Sequence, residues 1–268
     1  MNDTPLVSVI IPCYNAGKLL EVAIASLRKQ SYPNYEVIIV DDGSNDTFTL
    51  EYLRELSDWA TVIYQENAGP CVARHNGILR SAGQYLFFLD SDNKVRDTYI
   101  SKGVAAMELD STVGVVYADF QYCGAMSHIR RSGEFDIEQL VIINMIDICS
   151  VVRRTAYDDV GGFDMYLSRL GLEDWEIWFT FYEKGWKFHY LPEPLFDYRV
   201  HDVSRTQTVA NKNLDTIIPY VHRKHIETVA KCYTSLYYQR NQLQTSLNTR
   251  IGDAILTPYR LLKKLFKG

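Results

Sequence analysis

Short apolar runs separated by amphipathic stretches set the plan of the first hundred residues. Residues 6–12 are β-branched and apolar, 36–40 repeat that character, 61–64 are a shorter version, and 85–89 are apolar throughout. Unbroken runs of this kind predict strands buried on both faces. The stretches between them have helical spacing. Residues 18–30 place Leu20, Ile24 and Leu27 on one face, the stripe a surface helix turns toward a core. Residues 47–56 and 70–81 behave alike, with Pro70 suited to a first helical turn. Alternating strands and helices with short connections predict right-handed crossovers and a parallel sheet with helices on both faces.

The pattern continues with a helix over 98–109 and a strand over 113–120. Residues 121–133 are polar and basic, an excursion or hairpin. A helix is predicted over 137–143 and a strand over 146–152. Gly161-Gly162-Phe163-Asp164 is a turn, and 172–183 is a helix carrying Trp175, Trp178, Phe179 and Tyr182 at core spacing. That spacing predicts that the two tryptophans belong to the core rather than to a sugar platform. Strands follow over 187–191 and 195–200. From about residue 211 the pattern is helical, with no strand signal.

Two of the apolar runs stop at acids. Tyr85-Leu86-Phe87-Phe88-Leu89 ends at Asp90-Ser91-Asp92, and the second strand ends at Asp41-Asp42-Gly43-Ser44. Carboxylates at the end of a core strand are costly unless a cation or hydrogen-bond donors compensate them. The carboxyl edge of a parallel sheet is where α/β proteins bind ligands. Asp-x-Asp there suits a hard divalent cation shared with phosphate oxygens. The plainer alternative is that such residues only shape turns, but two acidic turns on one edge describe a cleft for a nucleotide and a metal.

Composition narrows the choice. With 268 residues and 47% hydrophobic content the chain can build a large α/β core. Its net charge of -5 argues against nucleic acid as a partner, since that function needs a basic surface. Five scattered cysteines without Cys-x-x-Cys spacing suit reduced thiols. The first residues lack the basic and apolar segments of a signal peptide, and no apolar run reaches the roughly 18 residues of a membrane span. The expected location is cytoplasmic, with membrane contact only peripheral.

The motifs form an ordered set. Val7-Ser8-Val9-Ile10-Ile11-Pro12-Cys13-Tyr14-Asn15 is followed by Val40-Asp41-Asp42-Gly43-Ser44. Asn67-Ala68-Gly69-Pro70 with Ala73-Arg74-His75-Asn76-Gly77 comes next, then Leu89-Asp90-Ser91-Asp92-Asn93. Gly161-Gly162-Phe163-Asp164, Glu173-Asp174-Trp175-Glu176 and Tyr198-Arg199-Val200-His201-Asp202-Val203-Ser204 complete it. This set, covering roughly the first three-quarters of the chain, resembles family 2 glycosyltransferases.

The resemblance implies an α/β, Rossmann-like A-type glycosyltransferase fold with a mostly parallel central sheet and a helical C-terminal extension. Residues 1–204 would be the catalytic domain, with a nucleotide half over about 1–95 and an acceptor half over about 96–204. Residues 205–268 would be the extension. The implied reaction is inverting transfer of a sugar from a nucleotide-diphosphate donor, a UDP-sugar, to a hydroxyl of a glycan or lipid-linked acceptor in cell-surface polysaccharide synthesis. Pro12 and Tyr14 would line the nucleoside site. Asp42 would hydrogen-bond the base, and Arg74 would sit near the phosphates. Asp90 would contact ribose or metal, and Asp92 would ligate Mn²⁺ or Mg²⁺. His201 would be a third ligand or a diphosphate contact, and Asp174 the general base. Glu173 beside it would raise its proton affinity by like-charge repulsion. Without the resemblance, Glu173 and Asp174 would read as ordinary helix N-terminal acids.

Two rival functions have weaker support. A non-catalytic nucleotide-sugar-binding subunit would not need Asp92 and Asp174, and both are present. A nucleotidyltransferase would carry a Gly-rich basic loop after the first strand, where this chain has Pro12-Cys13-Tyr14-Asn15. The last segment is a separate signal. Ile255, Tyr259, Leu262 and Phe266 share a helical face, with Arg260, Lys263, Lys264 and Lys267 basic. Such a helix can lie on an anionic membrane or pack on protein.

Overall fold

In the computed structural model, which describes residues 4–200, 208–242 and 244, the apolar runs become the parallel half of a 9-stranded sheet. Strand β1 (Val7–Cys13) lies between β2 (Tyr35–Asp41) and β4 (Tyr85–Phe88), parallel to both, and β3 (Thr61–Tyr64) extends the parallel set beyond β2. Val7, Val9, Ile10 and Ile11 are all fully buried, as expected for strands covered on both faces. Helices α1 (Lys18–Leu27), α2 (Thr47–Leu56) and α3 (Pro70–Leu79) supply the cover. Close approach of α3 depends on Gly77, where an added Cβ would lie 2.8 Å from Ile10 Cγ2 and 3.2 Å from Val40 Cγ2.

The other half of the sheet is mixed rather than parallel. Strand β8 (Val151–Arg153) runs antiparallel to β4 and to β6 (Val113–Gly124). Strand β9 (Lys187–Val200) is parallel to β6, and β5 (Lys94–Val95) and β7 (Ile129–Arg130) are short antiparallel partners of β9 and β6. The order is β3-β2-β1-β4-β8-β6-β9-β5. The two strands expected over 187–200 are one, with its irregularity opposite Ala118–Phe120. The strand expected over 146–152 shrinks to three residues. The Asp147 side chain accepts from Cys149 N and its carbonyl accepts from Ser150 Oγ. Local bonds of that kind compete with a ladder and leave 143–150 as a loop.

Helices α4 (Tyr99–Leu109), α5 (Ile137–Ile142), α6 (Arg154–Val160), α7 (Glu173–Glu183) and α8 (Leu214–Lys224) complete the first of two compact units, residues 1–224. This unit runs past the boundary read at residue 204, because α8 buries Ile217 and Val221. The second unit, 225–268, contains a helix over 226–242 with exposed Tyr233, Tyr237 and Tyr238. The basic amphipathic segment 255–267 lies outside the described residues. Among the described residues no helix is long and apolar enough to cross a membrane.

Candidate active site

The carboxyl ends of β1, β2 and β4 come together at one edge of the sheet, beside a cleft of about 980 Å³. The first two ends are tied to each other. Asn15, at a φ of 48°, turns the chain after β1, and its Oδ1 accepts from Asn45 N at 2.8 Å and Asp46 N at 3.2 Å. Asn tolerates the left-handed region better than most residues. Pro12 and the exposed ring of Tyr14 line the cleft beside this turn.

Asp42 also lines the cleft but is buried, and its carboxylate is already engaged. Oδ1 accepts from Gln65 Nε2 and Ala68 N, both at 2.8 Å, and Oδ2 from Gly69 N at 2.9 Å. A carboxylate has about four lone-pair positions, so one is left for a ligand. The loop it holds is tight. Gly69 has a φ of 90°, and a Cβ there would lie 2.4 Å from the Ser168 carbonyl oxygen. Ser168 Oγ donates to the Ala68 carbonyl at 2.9 Å and Arg169 Nη2 to that of Asn67 at 3.0 Å. The 3₁₀ turn Met165–Arg169 is thereby fastened to the nucleotide-side loop.

Arg74 is the junction of the site. It projects from α3, is buried, and forks to Asp90 Oδ1 at 2.7 Å and Glu173 Oε1 at 2.6 Å. Burial favours loss of its proton, but Asp90 and then Glu173 outweigh that and bind it more firmly than usual. The residue read as a phosphate neighbour is thus also the strut between the Asp-x-Asp turn and the start of α7. Its Nε is buried with no hydrogen-bond partner among the described residues.

At the start of α7, Leu172 takes the left-handed conformation (φ 57°) ahead of Glu173 and Asp174. For a bulky residue this is a strained geometry, of a kind that clusters at functional sites. Asp174 Oδ1 accepts from Trp175 N and Oδ2 from Asn144 Nδ2, both at 2.8 Å. Burial, followed by the charge of Glu173, raises its pKa to about 7, against the two hydrogen bonds. The like-charge effect expected from Glu173 is present, second to burial. Trp175 and Trp178 are core residues, and their indole N–H groups donate to the carbonyls of Leu140 and Ile146 at 2.7 and 3.0 Å. They pin the two ends of the segment that carries Asn144.

Asn144 and Asp147 escaped the sequence reading. Both line the cleft from the loop before β8. Burial and the nearby charges of Asp90 and Asp174 push Asp147 up to about 8, against its bond from Cys149 N. The available signal was an acid between apolar neighbours in Ile146-Asp147-Ile148, a costly placement without a partner.

The cleft is acidic. Six acidic side chains line it (Asp42, Asp90, Asp92, Asp147, Glu173 and Asp174) against three arginines (Arg74, Arg130 and Arg169). Among the described residues no group of three or more His, Cys, Asp or Glu side chains is arranged to hold a metal ion. His201 lies outside the described residues. Asp90 and Asp92 alone still fit Mg²⁺ or Mn²⁺, which takes one or two carboxylates and completes its shell with ligand phosphates. The negative excess fits as well, because a diphosphate would meet repulsion here without a cation.

The sequence matches the family model described as glycosyl transferase family 2 over residues 8–166. It is 28% identical over 257 residues to TuaG of Bacillus subtilis strain 168, provisionally named a teichuronic acid biosynthesis glycosyltransferase, covering 92% of this chain and 99% of that protein. An uncharacterized glycosyltransferase of Rickettsia typhi is 29% identical over 224 residues, covering 78% of this chain and 68% of the relative. Crystal structures of S. aureus TarS 1–349 resemble the fold. The complex with UDP gives a TM-score of 0.61 at 20% identity, over 73% of this chain and 61% of that one. The complex with UDP-GlcNAc gives 0.65 at 18%, over 76% and 61%. The chain thus spans about three-fifths of those solved chains.

Proposed function

The chain belongs to glycosyl transferase family 2, and we propose that it moves a sugar from a UDP-sugar to an acceptor hydroxyl with inversion, in the synthesis of a cell-surface polysaccharide. The observation that carries this reading is one cleft lined by the Asp90-Ser91-Asp92 turn, by Asp174 and by the Asp42 loop. The name of TuaG supports the polysaccharide, and the UDP and UDP-GlcNAc complexes of TarS support the donor class. The acceptor in this reading is a glycan or lipid-linked hydroxyl.

The division of labour follows from the chemistry. Pro12 and Tyr14 flank the nucleoside, and the remaining lone pair of Asp42 accepts an N–H of the base. Asp92, with Asp90, would hold a divalent cation, which supplies positive charge to the departing diphosphate. Arg74 fixes Asp90 by its 2.7 Å bond. The acceptor hydroxyl must lose its proton as it attacks, and Asp174 takes it at the carboxylate that Asn144 and Trp175 N orient. Its raised proton affinity brings it near the pH at which a base is most effective. Attack from the face opposite the diphosphate inverts the anomeric centre in one displacement, so no nucleophilic side chain is required.

Calorimetric titration of UDP, GDP and dTDP, each with and without Mn²⁺, tests the reading on the wild type and on Asp92→Ala. The expected result is Mn²⁺-dependent binding of UDP that weakens at least about tenfold in Asp92→Ala, the scale of one lost charged contact. A wild type that binds no nucleotide with the metal present would overturn it.

A further inference from the structure

Within the donor reading above, on which this inference rests, the transferred sugar lies between the diphosphate held at Asp90 and Asp92 and the hydroxyl activated by Asp174. Asp147 lines the cleft on the loop that joins these two parts of it. Its loop leads into β8, where the Ser150 carbonyl accepts from Phe88 N at 3.3 Å, two residues before Asp90. The same loop reaches the other side through Asn144, whose Nδ2 donates to Asp174 Oδ2 at 2.8 Å. Asp147 lines the same cleft as Asp90 and Asp174.

Its hydrogen bonding is half spent. Oδ1 accepts from Cys149 N at 2.8 Å, a bond that fixes the side chain, while Oδ2 has no hydrogen-bond partner among the described residues. The other carboxylates around it have assigned work. Asp90 and Glu173 hold Arg74, Asp42 holds the 65–69 loop, and Asp174 is tied to Asn144 and Trp175. A half-buried acid in an apolar segment is costly to keep without a ligand to use it.

We propose that Asp147 is a specificity-determining residue that hydrogen-bonds hydroxyl groups of the transferred sugar. The hydroxyls of a pyranose both donate and accept, and a carboxyl group fixed through one oxygen offers the other in a set direction. A sugar whose hydroxyl points elsewhere leaves that oxygen unpaired in the closed site, so the residue discriminates between epimers as well as binding.

The test compares affinities for UDP and for UDP-GlcNAc, UDP-GalNAc, UDP-glucose and UDP-galactose, with Mn²⁺ present, in the full chain. The proteins are wild type, Asp147→Ala and Asp147→Asn, the last of which can still accept the bond from Cys149 N. UDP affinity should stay within about twofold in both variants, since Asp147 is assigned to the sugar and not to the nucleotide. For at least one of the four, affinity relative to UDP should fall about tenfold in Asp147→Ala and about threefold in Asp147→Asn, as expected for losing a hydrogen bond in the site. Unchanged ratios for all four would overturn the assignment, as would UDP affinity falling in step with that of the sugars. A wild type that binds no UDP is a different failure and removes the donor reading itself.

Discussion

Replacing Arg74 with alanine strips two carboxylates of their common partner. The guanidinium side chain is only 4% exposed, Asp90 is 31% exposed and Glu173 is 7% exposed. Water can reach Asp90 once the arginine is gone, so that arm contributes little to the loss. Glu173 stays dry, and removing one partner of a buried ion pair costs about 3 to 5 kcal/mol. In a unit of this size that corresponds to a fall in Tm of about 10 °C. Urea unfolding followed by tryptophan fluorescence, which reports Trp175 and Trp178 near the strut, measures it. One control separates the lost ion pair from lost packing. In Arg74→Met with Glu173→Gln both charges are absent, and at least half of the loss should return. A loss below about 1 kcal/mol, or the same loss in the double variant, would refute the reasoning.

Other consequences are briefer. Asp174→Asn should lower kcat by about 10² to 10⁴ with UDP affinity unchanged, the range for removing a general base; a variant that loses both together places Asp174 in nucleotide binding instead. The base acts only when deprotonated and its pKa is raised to about 7, so wild-type kcat should rise with pH through about 7, and a flat profile from pH 5 to 8 counts against the assignment. Asn144→Ala removes a donor that favours the charged form, so this acidic limb should move to higher pH, as a kcat–pH profile would register. Gly77→Ala forces a methyl within 2.8 Å of Ile10 and should cost about 1 to 3 kcal/mol of stability, read from the urea midpoint.

What the chain shows as a string depends on whether a cost is local. Asp90 and Asp92 stood out because acids directly after the buried 85–89 run have no apolar explanation, and Asp41 and Asp42 repeat the anomaly one strand away. The mixed half of the sheet left no such mark. Strand β8 is three residues long, and its direction follows from Val151 and Val152 meeting Val115, Val116, Leu86 and Phe87, contacts that periodicity does not encode. Asp147 was hidden for a related reason. Between Ile146 and Ile148 it imitates the alternation of a strand, and only the bonds it accepts from Cys149 N and Ser150 Oγ turn the segment into a loop. Arg74 was legible as a member of a motif, but its bond to Glu173 joins residues 99 apart in sequence.

These long-range bonds change what the motif residues are for. Asp42 and Arg74 were read as ligand contacts, yet three of the roughly four acceptor positions of Asp42 and two nitrogens of Arg74 are taken by the protein. The remaining capacity, one lone pair and the unpartnered Nε of Arg74, is small and fixed in direction. A contact of that kind adds little affinity by number. Its value lies in costing no reordering when the donor arrives, because the 65–69 loop, the Asp-x-Asp turn and the first turn of α7 are already held in register. The strained Leu172 belongs to the same arrangement. Its left-handed backbone starts α7 where Glu173 meets Arg74, and the next residue, Asp174, is thereby set at the cleft within reach of Asn144. On this account the network that stabilises the fold and the network that orients the chemistry are one, so substitutions at Arg74 or Asp42 should lower stability and nucleotide affinity together, whereas Asp147 and Asp174, at its ends, separate the two.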